Sequence, residues 1–286
     1  MTKNKNLNTP TTIECKSKLL DLSTPTIMGI LNLTNDSFYD GGQHNSIKKA
    51  LLQTEKMLDD GAEIIDIGAY SSRPDARHIG LAEEWERIEK TLQIINKNFP
   101  NILISIDTFR SEIARRCIDN GADIINDISA GNLDHKMFDV VTELNVPYIM
   151  MHMKGTPQNM QKKPHYKCIE KEVIEYFYSK VKYLNDKGFK KIIIDPGFGF
   201  GKTIEHNYKL LNNLEKLHIL KLPIMIGISR KSMVYKVLET DAKNAINGTT
   251  VLHTFCLNKG VSILRVHDVK EAVECVKLIN FAKNQL

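Results

Sequence analysis

Short runs of Ile, Val, Leu and Met, each ending in polar residues, recur eight times along this chain: TIMGILN (26–32), EIIDIG (63–68), ILISID (102–107), DIINDI (123–128), PYIMMH (147–152), KIIIDPG (191–197), PIMIGIS (223–229) and SILRVHD (262–268). Near-continuous apolar runs of this length are expected of parallel strands buried on both faces. The intervening segments carry helical spacing instead, as in Leu81, Trp85, Ile88, Leu92, Ile95, then Val173, Phe177, Val181, Leu184, and finally Val269, Val273, Val276, Ile279. A pattern also repeats: GAEIID (61–66) returns as GADIIN (121–126), with weaker copies from Gly188 and Gly260. In each copy a Gly ends a helix and a strand follows. Eight βα units predict an α/β fold, a single (β/α)8 TIM barrel with long loops after strands 1 and 2; a doubly wound open sheet is second.

Residues 1–24 are rich in Thr, Asn, Lys and Ser, with little periodicity, and read as an N-terminal extension with at most a short strand across the barrel floor. No linker interrupts 25–286, which is taken as one catalytic domain. The chain has 286 residues with 39 Lys+Arg against 34 Asp+Glu, a net charge of +5, and its lysines stand singly or in pairs. That pattern gives no electrostatic footprint for nucleic acid. No apolar stretch is long enough to span a bilayer and the N-terminus lacks a secretory signal, so the expected location is cytoplasmic, without a membrane partner. Five scattered cysteines (15, 117, 168, 256, 275), none in C-x-x-C, argue against a disulfide framework or thiolate metal site.

In barrels of this kind the chemistry gathers at the C-terminal strand ends. The polar residues there are Asn32, Asp66, Asp107, Asn126 with Asp127, His152, Asp195, Ser229-Arg230-Lys231, and Arg265 with His267. Helix capping accounts for single Asp or Asn residues but not for Arg265 or Lys231. By charge they sort into two subsites: Asp107, Asn126 and Asp195 suit a flat heterocycle that presents N–H donors, whereas Lys231, Arg265, His267 and the amides after Asn32 suit phosphate or pyrophosphate. The connections 32–45 and 69–84 are long against the usual 2 to about 6 residues and read as lids. GFGFGKT (197–203) is not a P-loop, since Pro196 stands where that motif needs its first Gly, and no His/Cys cluster has zinc spacing.

Taken in order, MGILNLTNDSFYDGG, GAEIIDIGAYSSRP, SIDTFR, INDISAG, MHMKGTPQNMQ, DPGFGFGK, GISRKS and RVHDV resemble the dihydropteroate synthase family of folate biosynthesis. The resemblance implies a (β/α)8 barrel transferase that condenses 6-hydroxymethyl-7,8-dihydropterin pyrophosphate with 4-aminobenzoate, giving 7,8-dihydropteroate and pyrophosphate. It also implies a homodimer and a sulfonamide target. Asp107, Asn126 and Asp195 then match the pterin-binding residues, with Lys231 on the ring's carbonyl side. Asn32, Arg265 and His267 match the pyrophosphate site, Asn32 also contacting Mg2+. Ser72 and Arg73 align with the second-loop pair and Ser232 with the aminobenzoate carboxylate, while Phe38 and Phe198 are candidate aromatic walls. The catalytic set is Asp107, Lys231, Arg265 and His267. Departures lie in the lids: Asn35 stands where Pro is usual, Ala69-Tyr70 replaces Gly-Glu, Ser72 replaces Thr, and Asp75 replaces Gly. The competing readings are a pterin-dependent methyltransferase, a non-catalytic pterin-binding paralogue, and a Schiff-base aldolase using Lys231.

Overall fold

The computed structural model describes residues 9–33, 43–71 and 77–285, except for the side chains of 43–46. A hairpin comes first, β1 (Thr12–Cys15) against β2 (Lys18–Asp21). Eight parallel strands follow: β3 (Thr26–Asn32), β4 (Ile64–Gly68), β5 (Leu103–Asp107), β6 (Ile124–Asp127), β7 (Tyr148–Met151), β8 (Ile192–Asp195), β9 (Met225–Ile226) and β10 (Ile263–Val266). Their order is β8-β7-β6-β5-β4-β3-β10-β9. A parallel bridge between Ile194 and Ile224 and a 3.0 Å bond from Ile194 N to Pro223 O join the two ends. The sheet is therefore a barrel rather than an open doubly wound sheet.

Around it lie helices α1 (Gln43–Asp59), α2 (Leu81–Asn98), α3 (Ser111–Asp119), α4 (Met137–Leu144), α5 (Ile169–Asp186), α6 (Ile204–Asn212), α7 (Ser232–Tyr235), α8 (Ile246–Asn258) and α9 (Val269–Lys283). Helix α2 buries Ile88, Leu92 and Ile95, and α5 buries Val173, Phe177 and Leu184, the stripes legible in the sequence. Helix α9 is rotated slightly from its expected stripe. Val269, Ala272 and Cys275 are buried, while Val273, Val276 and Ile279 pack at the margin.

Successive side chains of a strand face opposite sides, so the barrel interior is read at every second residue. At the N-terminal end each strand contributes one apolar residue to an inner cluster: Met28, Ile64, Leu103, Ile124, Ile149, Ile193, Met225 and Ile263. Ile13, Cys15, Leu20 and Leu22 of the hairpin join that cluster and close the floor. Burial of this kind stabilises by about 1.5–3 kcal/mol per large aliphatic side chain. Lys18 fixes the hairpin by donating to Ile102 O (2.5 Å) and to Asp123 Oδ2 (2.9 Å). The extension thus contributes two strands where a single strand was expected, and both pack into the barrel.

Candidate active site

Two or four residues beyond the floor, the same inward-facing positions become polar. Ile64 is followed by Asp66, Leu103 by Ser105 and Asp107, Ile124 by Asn126, Ile193 by Asp195, and Ile263 by Arg265. The strand period alone therefore brings these groups into one ring at the mouth. Gly68, opposite Asp107 in the ladder, leaves room for it, since a Cβ at Gly68 would lie 3.3 Å from the Asp107 Cβ.

Arg265 occupies the centre. Its Nε donates to Asp66 Oδ2 at 2.6 Å and its Nη2 to Asp107 Oδ2 at 2.7 Å, while Asn126 Nδ2 donates to the same Asp66 oxygen at 3.1 Å. Burial pulls the guanidinium pKa down, but the two carboxylates outweigh this and hold it above its ordinary range. Burial pushes the Asp107 carboxyl up to about 7, against the pull of Arg265 and with the Asp66 carboxylate adding to the rise. Across the mouth, Lys231 Nζ donates to Phe198 O at 2.6 Å and lies 4.6 Å from the Phe200 ring centre. Burial lowers its pKa to about 8, with Asp195 opposing. Asp195 is itself raised by burial, while Lys231 and the amide of Gly197, which donates to its Oδ1 at 2.7 Å, pull the other way.

The carboxylates and cations that the sequence sorts by charge lie next to one another at the mouth. Arg265 is bound to Asp66 and Asp107, and Lys231 faces Asp195, because a cation in a half-buried site is stabilised by an adjacent carboxylate. His267 lies exposed at the edge, its amide 3.3 Å and its Nδ1 3.4 Å from Ser229 Oγ. Desolvation and the nearby Arg265 lower the pKa of this imidazole, an effect its exposure weakens. Three acceptor oxygens at the mouth, Asp107 Oδ1, Asn126 Oδ1 and Asp195 Oδ2, make no hydrogen bond to any described residue.

Other candidates fall differently. The Phe198 side chain is fully buried in the core between sheet and helices, so it is no wall of the mouth; Phe200, half-buried beneath Lys231, is the aromatic there. Ser232 begins the short α7, half-buried and next to Lys231. Asn32 ends β3, half-buried, with no hydrogen bond to a described residue. Ser72, Arg73, Asn35, Phe38 and Asp75 lie outside the described residues. Asp127 faces away from the mouth and ties its own loop, accepting from Ser129 N, Gly131 N and Tyr148 Oη.

Sequence reasoning gave no role to Asp66 or Lys202. Lys202 is the cation of the rejected P-loop motif, and it is buried: its Nζ contacts the Gly197 carbonyl (2.8 Å), the Phe200 carbonyl (3.1 Å) and His152 Nδ1 (2.9 Å). It therefore organises the 197–201 turn internally and is not free to bind phosphate. Gly197 sits at φ +67 with the His152 carbonyl against it, a position any Cβ would obstruct.

Residues 28–267 match the profile of the family described as "Pterin binding enzyme". The dihydropteroate synthase of Escherichia coli (strain K12) is 39% identical over 262 residues, 91% of this chain and 92% of that protein. Among solved structures, the Yersinia pestis dihydropteroate synthase in its sulfonamide drug complex superposes with a TM-score of 0.90 at 36% identity, covering 96% of this chain and 99% of that one. The Xanthomonas albilineans dihydropteroate synthase in complex with 7,8-dihydropteroate gives 0.86 at 30% identity, covering 95% and 98%. Sequence, fold and the polar ring at the mouth agree, and the chain belongs to the dihydropteroate synthase family of pterin-binding enzymes.

Proposed function

We propose that the mouth performs this family's transferase reaction, the condensation of 6-hydroxymethyl-7,8-dihydropterin pyrophosphate with 4-aminobenzoate, by ionisation of the pterin C–O bond followed by attack of the amine. The observation that carries the reading is the set of three uncommitted acceptors, Asp107 Oδ1, Asn126 Oδ1 and Asp195 Oδ2, beside the cations of Arg265 and Lys231. A pterin ring presents paired N–H donors to the first group and its carbonyl to Lys231. Binding energy is useful for rate only where it is stronger in the transition state. Cleavage of the C–O bond puts positive charge on the ring, which the Asp107 carboxylate opposes, and negative charge on pyrophosphate, which Arg265 and His267 receive. The anion favours the protonated imidazole, so His267 takes up a proton as pyrophosphate settles.

The aminobenzoate amine then attacks the methylene and gives up a proton to solvent as the C–N bond forms, with its carboxylate directed to Ser232. The Xanthomonas relative that holds 7,8-dihydropteroate and the Yersinia relative that holds a sulfonamide support ring and second-substrate subsites of this kind. Magnesium fits the donor set in one way. Among the described residues no three His, Cys, Asp or Glu side chains converge on a metal position, but the uncommitted Asn32 amide is a hard oxygen of the kind this ion accepts alongside substrate phosphates and water. Asn32 and the pyrophosphate would hold it, and when bound it would neutralise charge on the leaving group.

The assembly fits a homodimer: Val251 and Phe255 on α8 and Leu278 and Phe281 on the neighbouring α9 are exposed, the last two at 72% and 70%. Five free cysteines, four of them buried, suit the reducing cytoplasm, and no described helix is long and apolar enough to cross a membrane. The test of function is a release assay with purified protein, pterin pyrophosphate and magnesium. Dihydropteroate and pyrophosphate should form when 4-aminobenzoate is added; no dihydropteroate under those conditions overturns the reading.

A further inference from the structure

The last two barrel strands meet through only two residue pairs, Met225 with Ile263 and Ile226 with Leu264. Beyond them the backbone ladder stops. The chain nevertheless continues on one side to Lys231 and on the other to His267, both at the mouth. Side chains take over there with the register unchanged. Ser229 contacts His267 and Arg230 contacts Asp268, each pair at the 38-residue offset. The second contact is a two-pronged ion pair, Arg230 Nε to Asp268 Oδ2 and Nη2 to Asp268 Oδ1, both at 2.8 Å. Forked pairing of a guanidinium with a carboxylate fixes orientation as well as distance.

Arg230 is held from other directions too. Its amide donates to Thr249 Oγ1 at 3.1 Å, and Nη1 donates to the carbonyls of Ala242 (3.0 Å) and Lys243 (2.6 Å). Its backbone is left-handed, φ +54, a conformation a residue with a Cβ keeps only where the surroundings impose it. Directly after this strained residue comes Lys231, and directly before Asp268 comes His267.

We propose that Arg230 and Asp268 are positioning residues: their ion pair extends the β9–β10 register past the end of the backbone ladder and sets the separation of Lys231 from His267. The proposal rests on the reading that those two residues act at the mouth. Neither Arg230 nor Asp268 touches the substrates; they act through their neighbours.

Asp268→Asn keeps shape but loses the charge pair, and Arg230→Lys keeps charge but loses the fork. Each should lower kcat on the order of 100-fold, the cost of a misplacement near 1 Å. Affinity for inorganic pyrophosphate should weaken several-fold alongside, because His267 faces that anion. Asp268→Glu should recover much of the loss. In proton–carbon NMR the His267 ring resonance, identified by its disappearance in His267→Gln, should shift in Asp268→Asn and return toward the parent position in Asp268→Glu. Glu143→Gln, which breaks the outer-face pair Arg115–Glu143, is the control and should leave kcat unchanged. If Asp268→Asn does not fold, Arg230→Lys carries the same measurements. Turnover within twofold of the parent in the folded variants, or a loss with the His267 resonance unmoved, overturns the proposal. The resonance and the affinity for inorganic pyrophosphate are readable without turnover, so a failure of the proposed reaction shows separately, as a parent protein that forms no dihydropteroate.

Discussion

The floor and the mouth of this barrel are built from the same eight strands and the same inward-facing positions, yet they obey opposite rules. At the floor, Met28, Ile64, Leu103, Ile124, Ile149, Ile193, Met225 and Ile263 meet the apolar residues of the hairpin in one cluster. One turn of the pleat higher, Asp66, Asp107, Asn126, Asp195 and Arg265 face one another, and the carboxyl of Asp107 is displaced to about 7. Apolar burial stabilises the fold, whereas two carboxylates around one guanidinium cost desolvation that the pairing only partly offsets. The lower layer holds the barrel together so that the upper one can be kept in an arrangement suited to a ligand.

The sharpest way to separate the layers is to change one residue in each. Asp107→Asn should reduce kcat on the order of 1000-fold, the scale for loss of a preorganised charge at a reacting centre. Pyrophosphate affinity should change little, and thermal unfolding should show a protein at least as stable as the parent. The sign follows from linkage. The folded carboxyl still holds its proton between about pH 4 and 7, where the unfolded one has lost it, so this group opposes folding as pH rises through that window. Near-normal turnover would remove Asp107 from the chemistry.

Ile193→Ala at the floor should do the reverse. A fully buried aliphatic truncated to Ala costs about 2–5 kcal/mol, so urea unfolding should fall by that amount while kcat at low temperature stays within a factor of about two. A loss of turnover without loss of stability would show that the layers are not separable.

Acidity gives a smaller but cleaner signature of the mouth. With Asp107 required as carboxylate and Lys231 as ammonium, kcat/KM should rise with pH through about 7 and fall through about 8, changing about tenfold per unit on each flank. Lys231→Arg, charged throughout, should abolish the alkaline flank in whatever activity it retains. A flank that survives in this variant assigns it to another group.

The smallest effect belongs to the boundary between the layers, where Ser105 Oγ and Asp66 Oδ1 are buried without a partner among the described residues. Ser105→Ala should be neutral or stabilising by up to about 1 kcal/mol in chemical unfolding. Destabilisation beyond that would mean the hydroxyl is satisfied.

The eight strands were legible because parallel strands buried on both faces need apolar residues nearly throughout: 26–32 coincides with β3, and the other runs differ by a residue or two at most ends. The exception is instructive. Run 223–229 holds only the two-residue β9, since beyond Ile226 side chains replace the ladder. The ring residues were also legible as strand-end polar groups. Their pairing was not, because which carboxylate meets Arg265 depends on the stagger between strands that lie far apart in the sequence. Phe198 was misplaced as an aromatic wall for a similar reason: the turn through Gly197, Gly199 and Gly201 at positive φ sets which ring faces the mouth, and alternating Gly-Phe carries no phase of its own. The hairpin escaped notice because TIEC and KLLD are too short for their alternation to stand out.

The hairpin that seals the floor has a consequence for traffic. Among the described residues, Ile13, Cys15, Leu20 and Leu22 seal the barrel beneath an inner layer already filled by one apolar side chain from each strand. A ligand seated against Asp107 and Asn126 would then enter and leave by the mouth.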